Sequence, residues 1–149
     1  MYMLRLIILI LFFFNSTTSS FSKENNYFLM LKNSKVNVRY GPSLKSPVKY
    51  IYKKLFLPVK VIDKKDTFRR IIDHKKNSGW IHISQLRPSK SFIIMEDKIM
   101  FQKNSKFSNP KVKLKKGRLV IVKKCVENWC KIKTDEYTGW VSNKNTWGY

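Results

Sequence analysis

The chain has 149 residues, of which 43% are hydrophobic and 14% are aromatic. This content suits a packed fold and excludes a disordered polycation, which would lack aromatic and β-branched residues. The chain carries 31 Lys and Arg residues against 9 Asp and Glu, a formal net charge of +22. Such an excess bears on partners and solubility rather than on the fold. Nucleic acid, anionic lipid and acidic polymers are all partners that this charge would attract. Because lysine far outnumbers arginine and Asn and Ile are abundant, coding bias explains part of the charge equally well.

The first twenty residues have the order of a secretory signal peptide. Residues 1–5 carry one basic side chain, residues 6–14 are all apolar, and residues 15–20 are small and polar. The apolar run is shorter than the roughly 20 residues that span a bilayer. We therefore expect a signal peptide over residues 1–20, cleaved after Ser20 or Ser22. An uncleaved N-terminal anchor is the alternative. Export predicts a periplasmic, secreted or cell-envelope protein with no transmembrane span in the mature chain.

The rest of the sequence repeats at a spacing of roughly 60 residues, which indicates two similar units. The matching stretches are residues 36–48 with 99–111, 58–62 with 119–122, 68–71 with 129–132, and 79–81 with 139–141. Within each unit, apolar residues alternate with polar ones, as at Val36 and Val38 and at Val59 and Val61. Period two with β-branched residues predicts half-buried strands. Short strands with frequent turns, and no helical period, predict a small β-barrel.

Two turns are expected from the residues between strands. Residues 73–79 are typical of a hairpin loop, and Asp135-Glu136 of a tighter one. Residues 87–91 are the natural junction between the units. Gly79 and Gly139 could each lie at a β-bulge that aims the following tryptophan at the barrel.

The segment Asn37-Val38-Arg39-Tyr40-Gly41-Pro42-Ser43, followed by Pro47-Val48, resembles the opening strand and loop of bacterial SH3-like domains. Gly79-Trp80-Ile81-His82, with Leu86, is similar to the closing Gly-Trp strand and short turn of the same family. The second unit departs from this pattern at Lys103-Asn104-Ser105. A shared ligand site is therefore expected in the first unit rather than the second.

The resemblance covers essentially the whole mature chain. It implies an all-β fold of two tandem small SH3-like β-barrels, over residues 27–87 and 92–149, behind the N-terminal signal peptide. It also implies a non-catalytic binding module for peptidoglycan, another cell-wall polymer, or an extended peptide of an envelope protein. Arg39, Tyr40 and His82 are the candidate ligand contacts, although Tyr40 is equally explained as a barrel-rim residue.

Two alternatives to wall binding belong to different functional classes. Lysines and aromatics on a small β-barrel can bind nucleic acid or another anionic surface. Export argues against nucleic acid as the main partner. The second alternative is a structural adaptor that docks another envelope protein.

Cys125 and Cys130 are the only cysteines, and they flank a point where one strand turns into the next. In an oxidising compartment we expect them to form a disulfide, with two free buried thiols as the alternative. His74 and His82 come with no obvious orienting carboxylate. The sequence also lacks a phosphate loop, a Gly-x-Ser-x-Gly elbow and a His-Glu-x-x-His motif. We therefore expect no catalytic residues, no metal and no cofactor.

The aromatic residues divide into two groups. Four recur at matching places in both units and are predicted to lie in the cores: Phe68, Trp80, Trp129 and Trp140. Trp147 and Tyr149, at the C-terminus, are predicted to cover the end of the second barrel.

Overall fold

The structure is a computed structural model that describes residues 27–149. The predicted signal peptide over residues 1–20 lies outside the described residues. The described part is all-β, with fourteen strands and one turn of 3-10 helix at Ile83–Gln85. It forms two seven-stranded sheets, one in each sequence repeat, and this confirms the predicted fold class.

The first sheet has the strand order β3-β2-β6-β5-β4-β1-β7. Its pairings are antiparallel. The strands are β1 (Tyr27–Leu31), β2 (Val36–Arg39), β3 (Val48–Tyr52), β4 (Pro58–Lys65), β5 (Phe68–Ile72), β6 (Ser78–His82) and β7 (Leu86–Pro88). The hairpin loop predicted over residues 73–79 is shorter than expected, because Ser78 and Gly79 already belong to β6.

The second sheet repeats this arrangement in the order β10-β9-β13-β12-β11-β8-β14. The strands are β8 (Ser91–Ile94), β9 (Lys98–Phe101), β10 (Pro110–Leu114), β11 (Leu119–Val126), β12 (Trp129–Thr134), β13 (Tyr137–Ser142) and β14 (Thr146–Trp147). The tight turn at Asp135-Glu136 joins β12 and β13 as predicted.

Each sheet curls around its own apolar core, built by the period-two pattern of the strands. In β2, Val36 and Val38 are buried while Asn37 between them is exposed. Val59 on β4, Ile71 on β5 and Ile81 on β6 join the same cluster. The second core contains the equivalent β-branched residues with Phe92 and Met100. Burying each such side chain contributes about 1.5–3 kcal/mol to the free energy of folding, and these contributions stabilise each small barrel.

The glycine before each recurring tryptophan allows two strands to approach closely. A Cβ added at Gly79 would overlap Val38 Cγ1, and one added at Gly139 would overlap the Met100 side chain. The β5–β6 register runs without a shift through Gly79. The predicted bulge is therefore wrong. Glycine is required at position 79 because β2 lies so close that the Val38 side chain fills the space of a Cβ. Since Gly79 meets Val38 and Gly139 meets Met100, these two side chains are structurally equivalent. The match of residues 36–48 with 99–111 predicted from the sequence is therefore displaced by one residue.

The predicted core position of the tryptophans is also wrong. Phe68 is buried, but Trp80, Trp129 and Trp140 are only half-buried. On β6, Gly79 and Ile81 point inward, so Trp80 between them points to the outer face of the sheet. Trp140 on β13 alternates with Gly139 and Val141 in the same way.

Strand β8 packs between the two barrels. All four of its residues are buried, with Phe92 and Ile94 in the second core and Ile93 in the first. The Ser91 hydroxyl donates to the Phe56 carbonyl oxygen at 2.6 Å. The first residue of the second sheet is thereby tied to the first unit, so the two units pack directly against each other.

The C-terminus also crosses between the units. Trp147 packs against the first core, with its ring centroid 5.3 Å from that of Phe28, while Tyr149 is 60% exposed. The prediction that these two residues cover the second barrel is wrong, because β14 pairs beside β8 at the interface. Gly148, at φ +127°, lies against Pro58 with no room for a Cβ, and its carbonyl accepts from the Ser89 hydroxyl at 2.6 Å.

Cys125 and Cys130 form a disulfide across the β11–β12 hairpin, as predicted. They are directly opposite each other in the strand pairing, with their Cα atoms 4.0 Å apart. No helix within residues 27–149 is long and apolar enough to cross a bilayer.

Candidate functional site

The candidate site lies on the outer face of the first sheet, where β2 and β6 meet. Arg39 and Trp80 are direct partners in this pairing. Because side chains alternate along each strand, Arg39 shares its face with Asn37, and Trp80 shares its face with His82. These alternating positions therefore present a mixed cationic and aromatic surface to solvent.

Arg39 also fixes the long loop between β2 and β3. Its Nη1 donates to the Ser46 carbonyl oxygen at 2.7 Å. The loop is closed at its base by the Tyr40 amide, which donates to the Pro47 carbonyl at 3.1 Å. A guanidinium has five N–H donors, so this bond leaves others for a ligand. The loop carries two well-exposed apolar side chains, Tyr40 and Leu44.

The tryptophan cleft is a concavity of about 300 Å³ on one side of Arg39. Its lining residues are Arg39, Tyr40, Lys49, Arg70, Ser78, Gly79 and Trp80. Lys49 Nζ donates to the Ser78 carbonyl at 3.0 Å and lies 5.6 Å from the centroid of the Tyr40 ring. The cleft therefore combines three cations with two aromatic rings, and none of the described residues brings a carboxylate to it.

The histidine cleft is a concavity of about 250 Å³ on the other side of Arg39. Its lining residues are Lys35, Asn37, Arg39, Leu44, His82, Ser84 and Gln85. The Ser84 amide donates to His82 Nδ1 at 3.3 Å, and the Ser84 hydroxyl lies 2.7 Å from the same nitrogen. Since Nδ1 accepts, the neutral ring carries its proton on Nε2. His82 can thus offer a ligand a donor from Nε2.

The structure brings two of the three predicted contact residues to each cleft. Arg39 lines both, Tyr40 lines the tryptophan cleft, and His82 lines the histidine cleft. Sequence reasoning missed Trp80 because it was assigned to the core, and it also missed Lys49 and Arg70. The alternation of Gly79 and Ile81 around Trp80 was the signal that could have placed this ring outside.

Asp73, the buried carboxylate of the first unit, is used inside the fold rather than at this surface. It accepts from the Tyr52 hydroxyl at 2.9 Å, and from the Lys75 and Asn77 amides at 2.8 and 2.9 Å. Burial alone would raise the pKa of Asp73, but these bonds and one from the Asn77 side chain outweigh it and lower the pKa. Among residues 27–149, no carboxylate lines either cleft, so the described side chains make the field there positive.

The second unit carries different side chains at the equivalent places. Phe101 pairs with Trp140 as Arg39 pairs with Trp80. The Gln102 amide donates to Asn109 as the Tyr40 amide does to Pro47, which puts Gln102 at the tyrosine position. Ser142 occupies the position of His82. The chemistry around Arg39 is therefore specific to the first unit, although the scaffold is shared.

Within residues 27–149, no three His, Cys, Asp or Glu side chains are grouped so that they could hold a metal ion. Both cysteines are in the disulfide, so neither is a free nucleophile.

A family model described as a bacterial SH3 domain matches the chain twice, over residues 32–88 and 99–148. The chain belongs to the bacterial SH3 domain family. This confirms the resemblance stated from the Arg-Tyr-Gly-Pro and Gly-Trp segments. Domains of this family are often cell-wall binding modules, often extracellular, and typically non-catalytic.

Two solved structures resemble this bacterial SH3 pair, and both are NlpC proteins from Trichomonas vaginalis. NlpC2 is 12% identical, with a TM-score of 0.38, over 86% of this chain and 50% of its own. NlpC1 is 11% identical, with a TM-score of 0.38, over 86% of this chain and 48% of its own. The chain thus spans about half the length of these proteins. No curated protein sequence matches it.

Proposed function

We propose that this protein is an exported, non-catalytic module that binds peptidoglycan through the outer face of its first SH3 unit. The observation that carries the proposal is the pair of clefts on either side of Arg39, which contain cations and aromatic rings but no carboxylate. Membership of the bacterial SH3 family, with the oxidised Cys125–Cys130 pair, supports a wall-facing location.

The chemistry of the two clefts fits the peptide portion of the wall polymer. Peptidoglycan stem peptides are extended and carry free carboxylates. The Arg39 guanidinium can donate two parallel N–H bonds to such a carboxylate while its bond to the Ser46 carbonyl holds the loop. The faces of Tyr40 and Trp80 offer apolar contact on one side, and His82 offers a hydrogen bond on the other. An extended peptide crossing Arg39 would contact both clefts.

The positive charge adds a long-range contribution to this contact. A cleft lined by one sign of charge raises the local concentration of oppositely charged ligand and accelerates its association. Exposed charges are screened at physiological salt beyond about 8 Å, so we expect wall binding to be strongest at low ionic strength.

The test is co-sedimentation of the purified mature protein with isolated, protein-free sacculi at low salt. The variant Y40A/R70E changes two exposed residues of the tryptophan cleft and leaves the Arg39 bond to Ser46 intact. We expect its apparent affinity for sacculi to fall about tenfold, because exposed aromatic and arginine contacts dominate binding energies. The matched control is Y137A/K124E, which removes an exposed tyrosine and reverses an exposed cation in the second unit.

The control variant should bind within about twofold of the wild-type protein. Equal losses in both variants would show that retention follows total charge rather than the face of the first unit, and would contradict the proposal. Absence of wild-type retention at low salt would refute wall binding, and capture of an envelope protein instead would support the adaptor alternative.

A further inference from the structure

A larger cleft lies where the two units meet, and we call it the inter-unit cleft. Its volume is about 730 Å³. Lys54 and Phe56 of the first unit form one wall, and strands β11 and β12 with the turn before β11 form the other. It shares no lining residue with the tryptophan cleft or the histidine cleft. A ligand there would therefore be recognised by different residues from those of the proposed wall-binding face.

The inter-unit cleft concentrates positive charge from several elements. Its six cations are Lys54, Lys115, Lys116, Arg118, Lys123 and Lys133. The one carboxylate in the lining is Asp135, and Arg118 Nη1 lies 2.9 Å from it. Lys115 pairs with Asp97 at 3.0 Å. In the part of the chain that the structure describes, the other four lysines have no ion-pair partner.

These charges line one concave surface, five of them on the wall of the second unit and Lys54 on the other, so each raises the electrostatic potential at the others. Like charges that share a site repel, and a bound anion relieves the repulsion. The cations come from the β3–β4 loop, the β10–β11 turn, β11 and β12. A single small anion would contact only part of this set. A chain with several anionic groups in succession would contact it all.

The walls of the cleft are held in place by specific contacts. Phe56 has a φ of 63°, which is unusual for a residue other than glycine. Its amide donates to the Leu31 carbonyl at 3.1 Å, and its carbonyl accepts from Ser91 of the second unit. A residue held in such a conformation by its surroundings is more frequent at ligand sites than elsewhere. Here the conformation places the ring in the cleft lining.

The opposite wall is fixed by Asp97. Its Oδ1 accepts from the Lys116 amide at 3.0 Å, and its Oδ2 accepts from Lys115 Nζ at the same distance. These bonds lower the pKa of Asp97 to about 2, so the carboxylate is ionised at neutral pH and accepts from the lysine-bearing turn. The turn therefore presents Lys116 and Arg118 in a preset position.

We propose that the inter-unit cleft binds a linear polyanion other than nucleic acid, a polymer whose successive repeats each carry a phosphate or a carboxylate. Five of the six cations are lysines, which act as point charges and do not select one planar geometry. In the described part of the chain, Phe56 supplies the one aromatic ring that lines the cleft. Single-stranded nucleic acid is bound on several aromatic side chains that stack successive bases, which this cleft does not offer.

The cleft exists only while the two units are packed as described, because its walls come from both. Ile93 and Trp147 of the second unit insert against the first core and set that packing. The duplication therefore creates a site that neither barrel has alone.

The test measures binding of inorganic polyphosphate, poly-glutamate and an oligo-thymidylate by fluorescence anisotropy, with full-length mature protein. The variant K116E/K123E/K133E reverses three exposed charges of the cleft. The matched control K64E/K65E/K75E reverses three exposed lysines of the first unit that line none of these clefts. Both variants have the same net charge, so a difference between them reports position rather than total charge.

We expect polyphosphate or poly-glutamate to bind the wild-type protein, with an affinity that falls steeply between about 50 and about 200 mM salt. The cleft variant should bind at least about tenfold more weakly, and the control should lose no more than about threefold. The tighter of the two polymers identifies phosphate or carboxylate as the preferred group.

Three results would overturn the proposal: no binding of either polymer, equal losses in the two variants, or tighter binding of oligo-thymidylate that depends on the cleft lysines. Sacculus binding by K116E/K123E/K133E at moderate salt separates the two sites. If K116E/K123E/K133E still binds sacculi while Y40A/R70E still binds the polyanion, the two sites are independent. Failure of one proposal then leaves the other untouched.

Discussion

Asp73 shows how a single buried residue organises part of the first barrel. It is 3% exposed and accepts hydrogen bonds from Tyr52 on β3 and from the loop residues Lys75 and Asn77. Burial of Tyr52, with its hydrogen-bonded neighbours, raises the pKa of its hydroxyl, so this group stays a donor. The carboxylate therefore ties the β5–β6 loop to β3, the strand that follows the β2–β3 loop.

The variant D73N should destabilise the protein by about 1–3 kcal/mol at neutral pH, since it puts an amide nitrogen where the site requires an acceptor. The free energy of unfolding, measured in urea, checks this value. The exposed carboxylate Asp66 provides the control, and D66N should change stability by less than about 0.5 kcal/mol.

The lowered pKa of Asp73 also predicts how the stability difference between wild type and D73N changes with pH. The folded protein lowers the pKa of Asp73 below 3.8, so the unfolded chain takes up this proton at higher pH than the folded one. The stabilisation by Asp73 is therefore fully present above that value and lost as pH falls through the lower, folded pKa. The difference between wild type and D73N should shrink below about pH 3.5. A difference that grows there would contradict the assignment.

Among single residues, Arg39, Tyr40 and His82 line the two clefts, and their role as ligand contacts stays a prediction. The tryptophans were placed in the cores, and that prediction was wrong. Recurrence at matching positions of two units indicates a shared structural role, and a core is the commonest such role. Recurrence does not say which face of a strand a residue occupies. The alternation of buried residues around Trp80 shows which face it occupies, but interpreting that alternation required knowing that Gly79 points inward against Val38.

At the level of single elements, the β11–β12 hairpin carries the disulfide. The sequence predicted this pairing because only four residues lie between the two cysteines, at a strand turn. Cys130 is buried in the second core, and Cys125 packs against that core from its edge. The bond therefore staples two strands that the core already holds together.

Reduction of this disulfide should cost about 2 kcal/mol or less, because the loop that it closes is very short. Thermal unfolding with and without dithiothreitol checks this, with the C125A/C130A variant as a control insensitive to the reductant. A drop much larger than about 10 °C would contradict the view that the bond is only a local clip.

Strand β8 is the element whose role the sequence reasoning did not find. It was assigned to the second unit, and it does pair within the second sheet. Four consecutive buried residues, however, are typical of a strand covered on both faces rather than of an edge with one wet face. The apolar run Phe92-Ile93-Ile94 was a signal that the strand packs between two cores. Deciding what covers its second face required the tertiary structure.

At the level of the whole molecule, the two repeats pack against each other and carry two different candidate surfaces, the β2–β6 face of the first unit and the inter-unit cleft. The repeat of roughly 60 residues was enough to predict two barrels, because period-two burial fixes which side of each strand faces a core. The packing of one barrel on the other depends on Ile93, Trp147 and Gly148, whose contacts lie far away in sequence. The local pattern at Ile93 indicates a strand covered on both faces but not what covers it, so neither the interface nor the cleft beside it was predicted.

The direct packing of the units also bears on function. Through Ser91, Phe56 and Ser89, hydrogen bonds tie the second unit to the first. The wall-binding face proposed for β2 and β6 and the inter-unit cleft are thereby held at a fixed separation, and their ligands can be engaged together.

Titration of isotope-labelled mature protein with soluble peptidoglycan fragments, followed by its backbone amide resonances, tests whether the first unit carries the proposed wall-binding face. We predict shifts that cluster at Arg39, Tyr40, Lys49, Trp80 and His82 and leave β9 and β13 of the second unit unchanged. Shifts confined to the second unit, or no shifts at fragment concentrations in excess of the protein, would contradict it.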